Sequence, residues 1–280
     1  MTEENQRGKT QGIGREGDPW SVSSALHNGV EVRAIGREAC INFAALARDV
    51  CLAGGPPGAQ DLVARDPAIE TKAECHVVAV DIDALLRSED LVRMIPKGAA
   101  VLLVVRPEIQ PARLAEARDR IGDRASWCMA QVTQLTRTIG SGCPAVSGSK
   151  WSTLSNAIGT AVEFREDLWP GLSEMSRGRF LTMGVQSGMP GEDGCILSHP
   201  ERVTFRQPRK GPCALEKGLV FTLLTQPVQE EKLDAALDQI SQAAPVPVQV
   251  ITAPWPFSDQ GLAWTMSLKV ESWRVDQADA

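Results

Sequence analysis

The feature that most constrains this chain is a repeated pattern of turn, strand, proline and helix. The first copy, PKGAAVLLVVRP, covers residues 96–107, and the second, EKGLVFTLLTQP, covers residues 216–227. Each apolar run precedes a segment with apolar residues at helical spacing, 110–121 in the first copy and 229–240 in the second. Because the same elements recur in the same order, the sequence predicts two units of similar structure.

A second set of matched turns supports the duplication. Four turn-forming residues each recur 133 residues later in the chain. The pairs are Gly55 and Gly188, Pro57 and Pro190, Gly58 and Gly191, and Pro67 and Pro200. The Lys-Gly strands lie 120 residues apart, from Lys97 to Lys217. The first unit therefore carries 13 additional residues before its Lys-Gly strand, and the helical pattern of 84–95 falls among them.

The order of elements favours an α+β fold class. After each Lys-Gly strand and its helix comes another strand, 126–132 in the first unit and 246–251 in the second, and the second unit closes with a strand at 262–270. Strand, helix, strand, strand is typical of an antiparallel sheet with helices on one face. Since like domains in tandem often pack about an approximate two-fold axis, the sequence predicts an intramolecular pseudo-dimer.

Composition changes along the chain set the predicted boundaries. Residues 1–18 are polar and glycine-rich without periodicity, and residues 276–280 resemble them, so both are expected to be disordered. Unit 1 is predicted at 19–139 and unit 2 at 151–275, and the Gly/Ser-rich stretch 140–150 is the predicted linker.

Residues 217–270 resemble the C-terminal domain of the SseB family, named for enhanced serine sensitivity. The resemblance depends on Gly218, the strand ending at Pro227, the helix 230–240, the strand 246–251 and the closing strand through Lys269. It covers about a fifth of the chain and recurs more weakly at 97–132. It implies a fold for the second unit rather than a biochemical activity.

Composition limits the classes of function. With 43% hydrophobic and 23% charged residues, the chain has the balance of a globular protein, and no apolar run is long enough for membrane insertion. The net charge of -6 disfavours nucleic acid as a partner, although the basic group Arg202, Arg206, Arg209 and Lys210 keeps RNA binding by unit 2 as an alternative. Seven scattered cysteines without a C-x-x-C pair are typical of buried thiols in the cytoplasm.

A strand followed by a Gly/Pro turn at 50–58 is the strongest cofactor-binding pattern. In that hypothesis Gly54, Gly55 and Gly58 form a loop around a nucleotide or S-adenosylmethionine, and Asp81 or Asp83 contacts the ribose from the end of the next strand. A P-loop is excluded because Ala59-Gln60-Asp61 replaces its Gly-Lys-Ser/Thr. Since the turn recurs in unit 2, a structural glycine-proline turn is the favoured interpretation.

No other group of residues predicts a catalytic or metal site. The carboxylates of Asp81, Asp83, Glu89 and Asp90 suit a helix start better than a metal site, and the three histidines lack metal-binding spacing. No G-x-S-x-G elbow is present. Trp255 and Phe257, in a loop interrupted by prolines, are the candidate partner-binding residues.

The sequence therefore predicts a non-catalytic binding or assembly protein with no cofactor, whose partner is another protein or a second copy of itself. The main alternative is an enzyme or sensor that holds a nucleotide or S-adenosylmethionine in the loop of Gly54, Gly55 and Gly58 beside Asp81 and Asp83.

Overall fold

The computed structural model describes residues 22–27, 29–41, 43, 46–47, 50, 63–64, 72–106, 108–132, 151–187, 203–207, 213–224, 229–254 and 266–275. It contains ten strands: β1 Val22–His27, β2 Val30–Ile35, β3 Val63–Ala64, β4 Cys75–Asp81, β5 Ala99–Val105, β6 Ala125–Val132, β7 Phe180–Ser187, β8 Cys213–Leu224, β9 Val248–Pro254 and β10 Met266–Val275. The α-helices are α1 Arg37–Ile41, α2 Ile82–Arg87, α3 Glu89–Arg93, α4 Pro111–Ile121, α5 Trp151–Glu163, α6 Arg165–Met175 and α7 Glu230–Ala243, and a 3₁₀ turn covers Gly122–Arg124.

All ten strands belong to one mixed sheet in the order β3-β1-β2-β4-β5-β6-β7-β10-β8-β9. Neighbours in the run β2-β4-β5-β6-β7 pair in parallel, and so do β8 and β9. Antiparallel pairs occur where β1 meets β2 and β3, and where β10 lies between β7 and β8.

The central strands are buried because both faces of the sheet are covered. All seven residues of β5 are buried, as are all six of β2. Such continuous burial is typical of parallel strands with helices on both sides. One core packs α1, α5 and α6 against the first face, and the other packs α2, α3, α4 and α7 against the second.

The predicted fold class is therefore wrong. The described strands form one continuous sheet rather than two antiparallel sheets, and helices cover both faces rather than one. The predicted pseudo-dimer is wrong as well, because each of the two cores includes residues from both halves of the chain. The first core joins Val32 to Val270, and the second joins Val78 to Val220.

The repeat seen in the sequence corresponds to a strand-helix-strand unit, which is smaller than the two predicted domains. In one place β5, α4 and β6 form a parallel strand-helix-strand unit, and in the other β8, α7 and β9 do the same. The predicted strands and helices of this repeat are confirmed, but the antiparallel pairing assigned to them is wrong. A helix between two neighbouring strands returns the chain to the same edge, which makes the strands parallel.

Outside that unit, the two halves of the chain adopt different structures. Strands β1 and β2 form a β-hairpin, in which Gly29 adopts a φ of 76°, whereas the predicted second unit begins with helix α5. Residues 203–205, which precede β8 as β4 precedes β5, form no strand. The Lys-Gly pairs also differ, since Gly98 has a φ of 82° in a turn while Gly218 lies within β8 against Phe205.

The predicted helix at 84–95 is two short helices, α2 and α3, which meet at Ser88 in an extended conformation. The predicted leader, linker and tail lie outside the described residues, and the domain boundaries stay predictions. Within the described ranges, no helix has the length and apolar character needed to cross a bilayer.

Candidate functional site

A crevice opens at the carboxyl edge of the sheet, between β2 and β4. These strands are parallel neighbours, so both end at this edge. The chain leaves β2 into α1, whose Ala39 packs in the first core, and leaves β4 into α2, whose Ile82 and Leu85 pack in the second. Where successive connections depart to opposite faces, an open α/β sheet leaves a gap in which ligands commonly bind.

The gap is a cleft of ≈ 210 Å³ beside the end of β5. It is lined by Arg37, Glu38, Asp81, Ile82, Asp83, Ala84, Arg87, Val104, Val105 and Arg106. The apolar residues come from the end of β5 and the start of α2, whereas the three arginines and three carboxylates lie around them. The cleft therefore combines an apolar wall with groups able to bind phosphate, carboxylate or hydroxyl.

Asp81, the last residue of β4, connects the strand to α1. Its carboxylate oxygens accept backbone N–H groups from Glu38 at 2.9 Å and from Ala39 at 2.8 Å. The side chain therefore satisfies two of the N–H groups that the first turn of a helix leaves unpaired. Only 8% of Asp81 is exposed, so these bonds are largely shielded from water.

Gly36 permits this close approach. It has a φ of 97°, and a Cβ built at this position would lie 2.6 Å from the carboxylate of Asp81. No side chain fits at that distance, and the left-handed backbone also favours glycine. Gly36 and Asp81 together place the start of α1 against the end of β4.

Burial raises the pKa of Asp81 to about 6 from an ordinary value of 3.8. Loss of solvation is the largest cause, and the two N–H bonds lower the pKa in the opposite direction. The neighbouring carboxylates of Glu38 and Asp83 add a smaller upward effect. Asp81 is thus ionised at neutral pH but titrates well above the range of an exposed aspartate.

Asp83 is the more accessible carboxylate of the cleft, with 29% of its side chain exposed. Arg113 of α4 lies 3.0 Å from one oxygen, and Arg106 at the end of β5 lies 3.7 Å from the other. Because the side chain of Arg106 is 68% exposed, its guanidinium has room to move toward a ligand.

A second polar cluster lies on the sheet, at Glu31, Arg33, Ser24 and His76. Glu31 is 1% exposed, and its carboxylate accepts Ser24 Oγ at 2.8 Å and Arg33 Nη2 at 2.7 Å, while His76 Nδ1 lies 2.8 Å away. Arg33 also donates to the carbonyl of Met94. These mutual contacts are those of a structural ion cluster that ties β1, β2 and β4 to the chain after α3.

Of the predicted site residues, Asp81 and Asp83 lie in the cleft. Gly54, Gly55, Gly58, Trp255 and Phe257 lie outside the described residues, so their roles stay predictions. The described part of the chain brings together no group of three His, Cys, Asp or Glu side chains suited to a metal ion. The partner classes are likewise predictions only.

Sequence reasoning missed the contribution of β2. Gly36, Arg37 and Glu38 follow that strand, Asp81 ends β4 and Asp83 follows it, and Arg106 follows β5. A glycine directly after a strand rich in β-branched residues, followed by charged residues, was the available signal. Its meaning depends on β2 and β4 being parallel neighbours, which no local pattern contains.

Comparison with solved structures returns distant neighbours. CetZ1 from Haloferax volcanii, a GDP-bound monomer, is 12% identical with a TM-score of 0.40, over 71% of this chain and 64% of that one. CetZ2 from the same organism, a protofilament bound to GTPγS, is 12% identical with a TM-score of 0.44, over 73% and 66%. The FtsZ dimer of M. jannaschii is 9% identical with a TM-score of 0.38, over 75% and 69%.

This chain therefore spans less than two thirds of the length of either CetZ protein. No family model matches the chain, and no curated protein matches it significantly.

The resemblance to the SseB family is wrong. The described strands within residues 217–270 do not form a sheet of their own, because they belong to the same sheet as the strands of the first half of the chain. The closing strand, β10, instead lies between β8 and β7, within a sheet that continues through the rest of the chain.

The main functional hypothesis, a non-catalytic scaffold built as a pseudo-dimer, is also wrong. It rested on the duplication and on the absence of a convergent set of catalytic residues. The described residues form one sheet, and a cleft at its carboxyl edge gathers charged side chains from three strand ends. The nucleotide alternative agrees better with this geometry.

Proposed function

We propose that the protein binds a nucleotide in the cleft at the carboxyl ends of β2, β4 and β5. The observation that carries the proposal is the position of the cleft. It lies where α1 and α2 leave adjacent parallel strands toward opposite faces of the sheet, and it is lined by both arginine and aspartate.

The side chains suggest how the ligand is oriented. Arg37, Arg87 and Arg106 supply planar guanidinium groups, which bind phosphate oxygens through paired hydrogen bonds. Asp83 is partly exposed and is an acceptor for ribose hydroxyl groups. In this arrangement the phosphates face the arginines, and the sugar faces Asp83.

The cleft formed by the described residues is too small to enclose a whole nucleotide. Its ≈ 210 Å³ is smaller than the roughly 300–1,000 Å³ of typical small-molecule sites. A ribose with one or two phosphates fits that space better than a whole nucleotide does. The loop of Gly54, Gly55 and Gly58 is proposed to cover the remainder.

S-adenosylmethionine is the competing ligand, because it shares the ribose but carries positive charges instead of phosphates. Arginine at three positions of the lining favours phosphate over a sulfonium group, because two of the three carboxylates there are already paired, Asp81 with backbone N–H groups and Asp83 with Arg113. A protein that binds S-adenosylmethionine more tightly than any nucleotide would contradict this choice.

Titration calorimetry with GDP, GTP, ADP, ATP and S-adenosylmethionine tests the proposal. We expect at least one nucleotide to bind with micromolar affinity, and we expect Arg106→Ala and Asp83→Ala each to weaken binding by roughly tenfold, the loss of one charge-assisted hydrogen bond. Arg93→Ala is the matched control, since Arg93 is 75% exposed and pairs with Asp90 outside the cleft. Nucleotide affinity that is absent, or that is unchanged in both cleft variants, would overturn the proposal.

A further inference from the structure

Asp81 differs from Asp83 because its carboxylate is engaged by backbone N–H groups and is largely buried. Both oxygens accept backbone N–H groups of α1, at 2.9 Å from Glu38 and 2.8 Å from Ala39. Gly36 leaves no space between this carboxylate and the backbone. Only 8% of Asp81 is exposed, so little of its remaining acceptor surface is open to a ligand.

Helix α1 has only five residues, too short to be stable without contacts from the rest of the fold. Ala39 is its one buried residue, and Ile41 is 64% exposed. Ala39 packs in the first core together with Phe43, Leu46, Ala47 and Val50, which holds one side of this segment. The two bonds to Asp81 fix the N–H groups of the first turn, from which Arg37 and Glu38 face the cleft.

We propose that Asp81 is a positioning residue of the cleft, which fixes α1 so that Arg37 and Glu38 are held at the ligand. This role rests on the proposed nucleotide site. Asp81 acts through α1 and makes no contact with the ligand, whereas Asp83 and Arg106 bind it.

The proposal makes a prediction opposite to that of simple electrostatics. Removing a negative charge from the cleft should by itself strengthen the binding of an anionic phosphate. Removing the carboxylate that orients α1 should instead weaken binding, since Arg37 no longer has a fixed position. In Asp81→Asn, one oxygen still accepts an N–H group, but the amide NH₂ faces the other N–H and cannot accept it.

The first experiment requires no ligand. Hydrogen exchange of the backbone amides is measured at pH 8, where Asp81 is ionised. We expect Asp81→Asn to raise the exchange rates of Glu38 and Ala39 about tenfold or more, because their acceptors are weakened. Asp90→Asn makes the same chemical change on an exposed side chain outside the cleft, and it should leave these amides unchanged.

The second experiment measures nucleotide affinity by calorimetry at the same pH. We expect Asp81→Asn to weaken binding about tenfold, and Asp90→Asn to leave it unchanged. Gly36→Ala is an independent variant, because its new Cβ displaces the carboxylate of Asp81 without removing it. It should raise amide exchange in α1 and weaken nucleotide binding as well.

The two readouts separate the possible failures. Unchanged exchange at Glu38 and Ala39 in Asp81→Asn would overturn the orienting role, whether or not a nucleotide binds. Faster exchange with equal or tighter nucleotide binding would show that the position of α1 does not determine affinity, and would overturn the positioning role. If the wild-type protein binds no nucleotide, the proposed function fails, while the exchange rates still decide whether Asp81 orients α1.

Discussion

At the scale of single residues, Asp81 carries a negative charge in a position with little solvent. Its pKa in the folded protein is raised to about 6, whereas an unfolded chain gives the ordinary value of 3.8. Between these values the folded protein binds more protons at this residue than the unfolded chain does. The contribution of Asp81 to stability is therefore fully present below about pH 3.8 and is lost as pH rises through 6.

Asp81→Asn should remove this pH dependence. From pH 3.5 to 7.5, we expect the free energy of unfolding of the variant to rise relative to wild type by about 3 kcal/mol, at 1.36 kcal/mol for each pKa unit. Urea unfolding at several pH values measures the difference, with Asp90→Asn as the control for removal of an exposed carboxylate. A constant difference between Asp81→Asn and wild type would contradict the burial of an ionised Asp81.

At the scale of elements, the carboxyl end of α6 joins distant parts of the chain. The carbonyl of Met175 accepts Ser272 Oγ of β10 at 2.6 Å, and that of Ser176 accepts Arg118 Nη2 of α4 at 3.2 Å. Ser176 Oγ in turn donates to the carbonyl of Ser126 in β6. The carbonyls at this helix end are thus satisfied by side chains from both halves of the sequence.

Arg118→Met should therefore destabilise the fold. Arg118 is 9% exposed and also donates to the carbonyl of Gly122, so the substitution removes two hydrogen bonds while the aliphatic packing is kept. The carbonyl of Ser176 keeps the N–H of Arg179 at 3.0 Å, whereas that of Gly122 loses the donor given above. We expect a loss of about 2–3 kcal/mol in the free energy of unfolding. Arg120→Met on the same helix is the matched control, and its more exposed contacts should cost less than about 1 kcal/mol. Equal losses in urea unfolding would contradict this role of Arg118.

Elements were predicted from the sequence more successfully than their arrangement. The apolar run within 96–107 and the helical spacing at 110–121 are local patterns, and a strand at Ala99–Val105 and a helix at Pro111–Ile121 form there. Whether β5 and β6 pair in parallel depends on the path of the whole chain.

The same distinction applies to the candidate site. Asp81 and Asp83 could be predicted because carboxylates after a buried strand are a local signal. Their relation to Gly36 and Glu38 could not, since 43 residues separate Glu38 from the carboxylate it contacts. Only the placement of β4 beside β2 brings these groups together.

At the scale of the whole molecule, the two cores determine how the protein should unfold. Each core lies on one face of the sheet, and each contains residues from before and after the 140–150 stretch. The parallel contact between β6 and β7 is narrow, with the single pair Met129 and Leu181. The helices bridge it, since Leu168 and Leu172 of α6 share the first core with Trp127 of β6 and Leu219 of β8.

Two independent units would unfold in two separate transitions, whereas cores shared by both halves of the chain predict a single transition. We expect differential scanning calorimetry to show a single transition, in which the calorimetric and van't Hoff enthalpies agree. Leu172→Ala should lower the midpoint of that whole transition, because the cavity it leaves lies in a core common to both halves and costs about 2–5 kcal/mol. Leu237→Ala is the matched control, since Leu237 is only partly buried on α7. If Leu172→Ala instead split the transition into two, with one midpoint unchanged, the halves would be separate cooperative units.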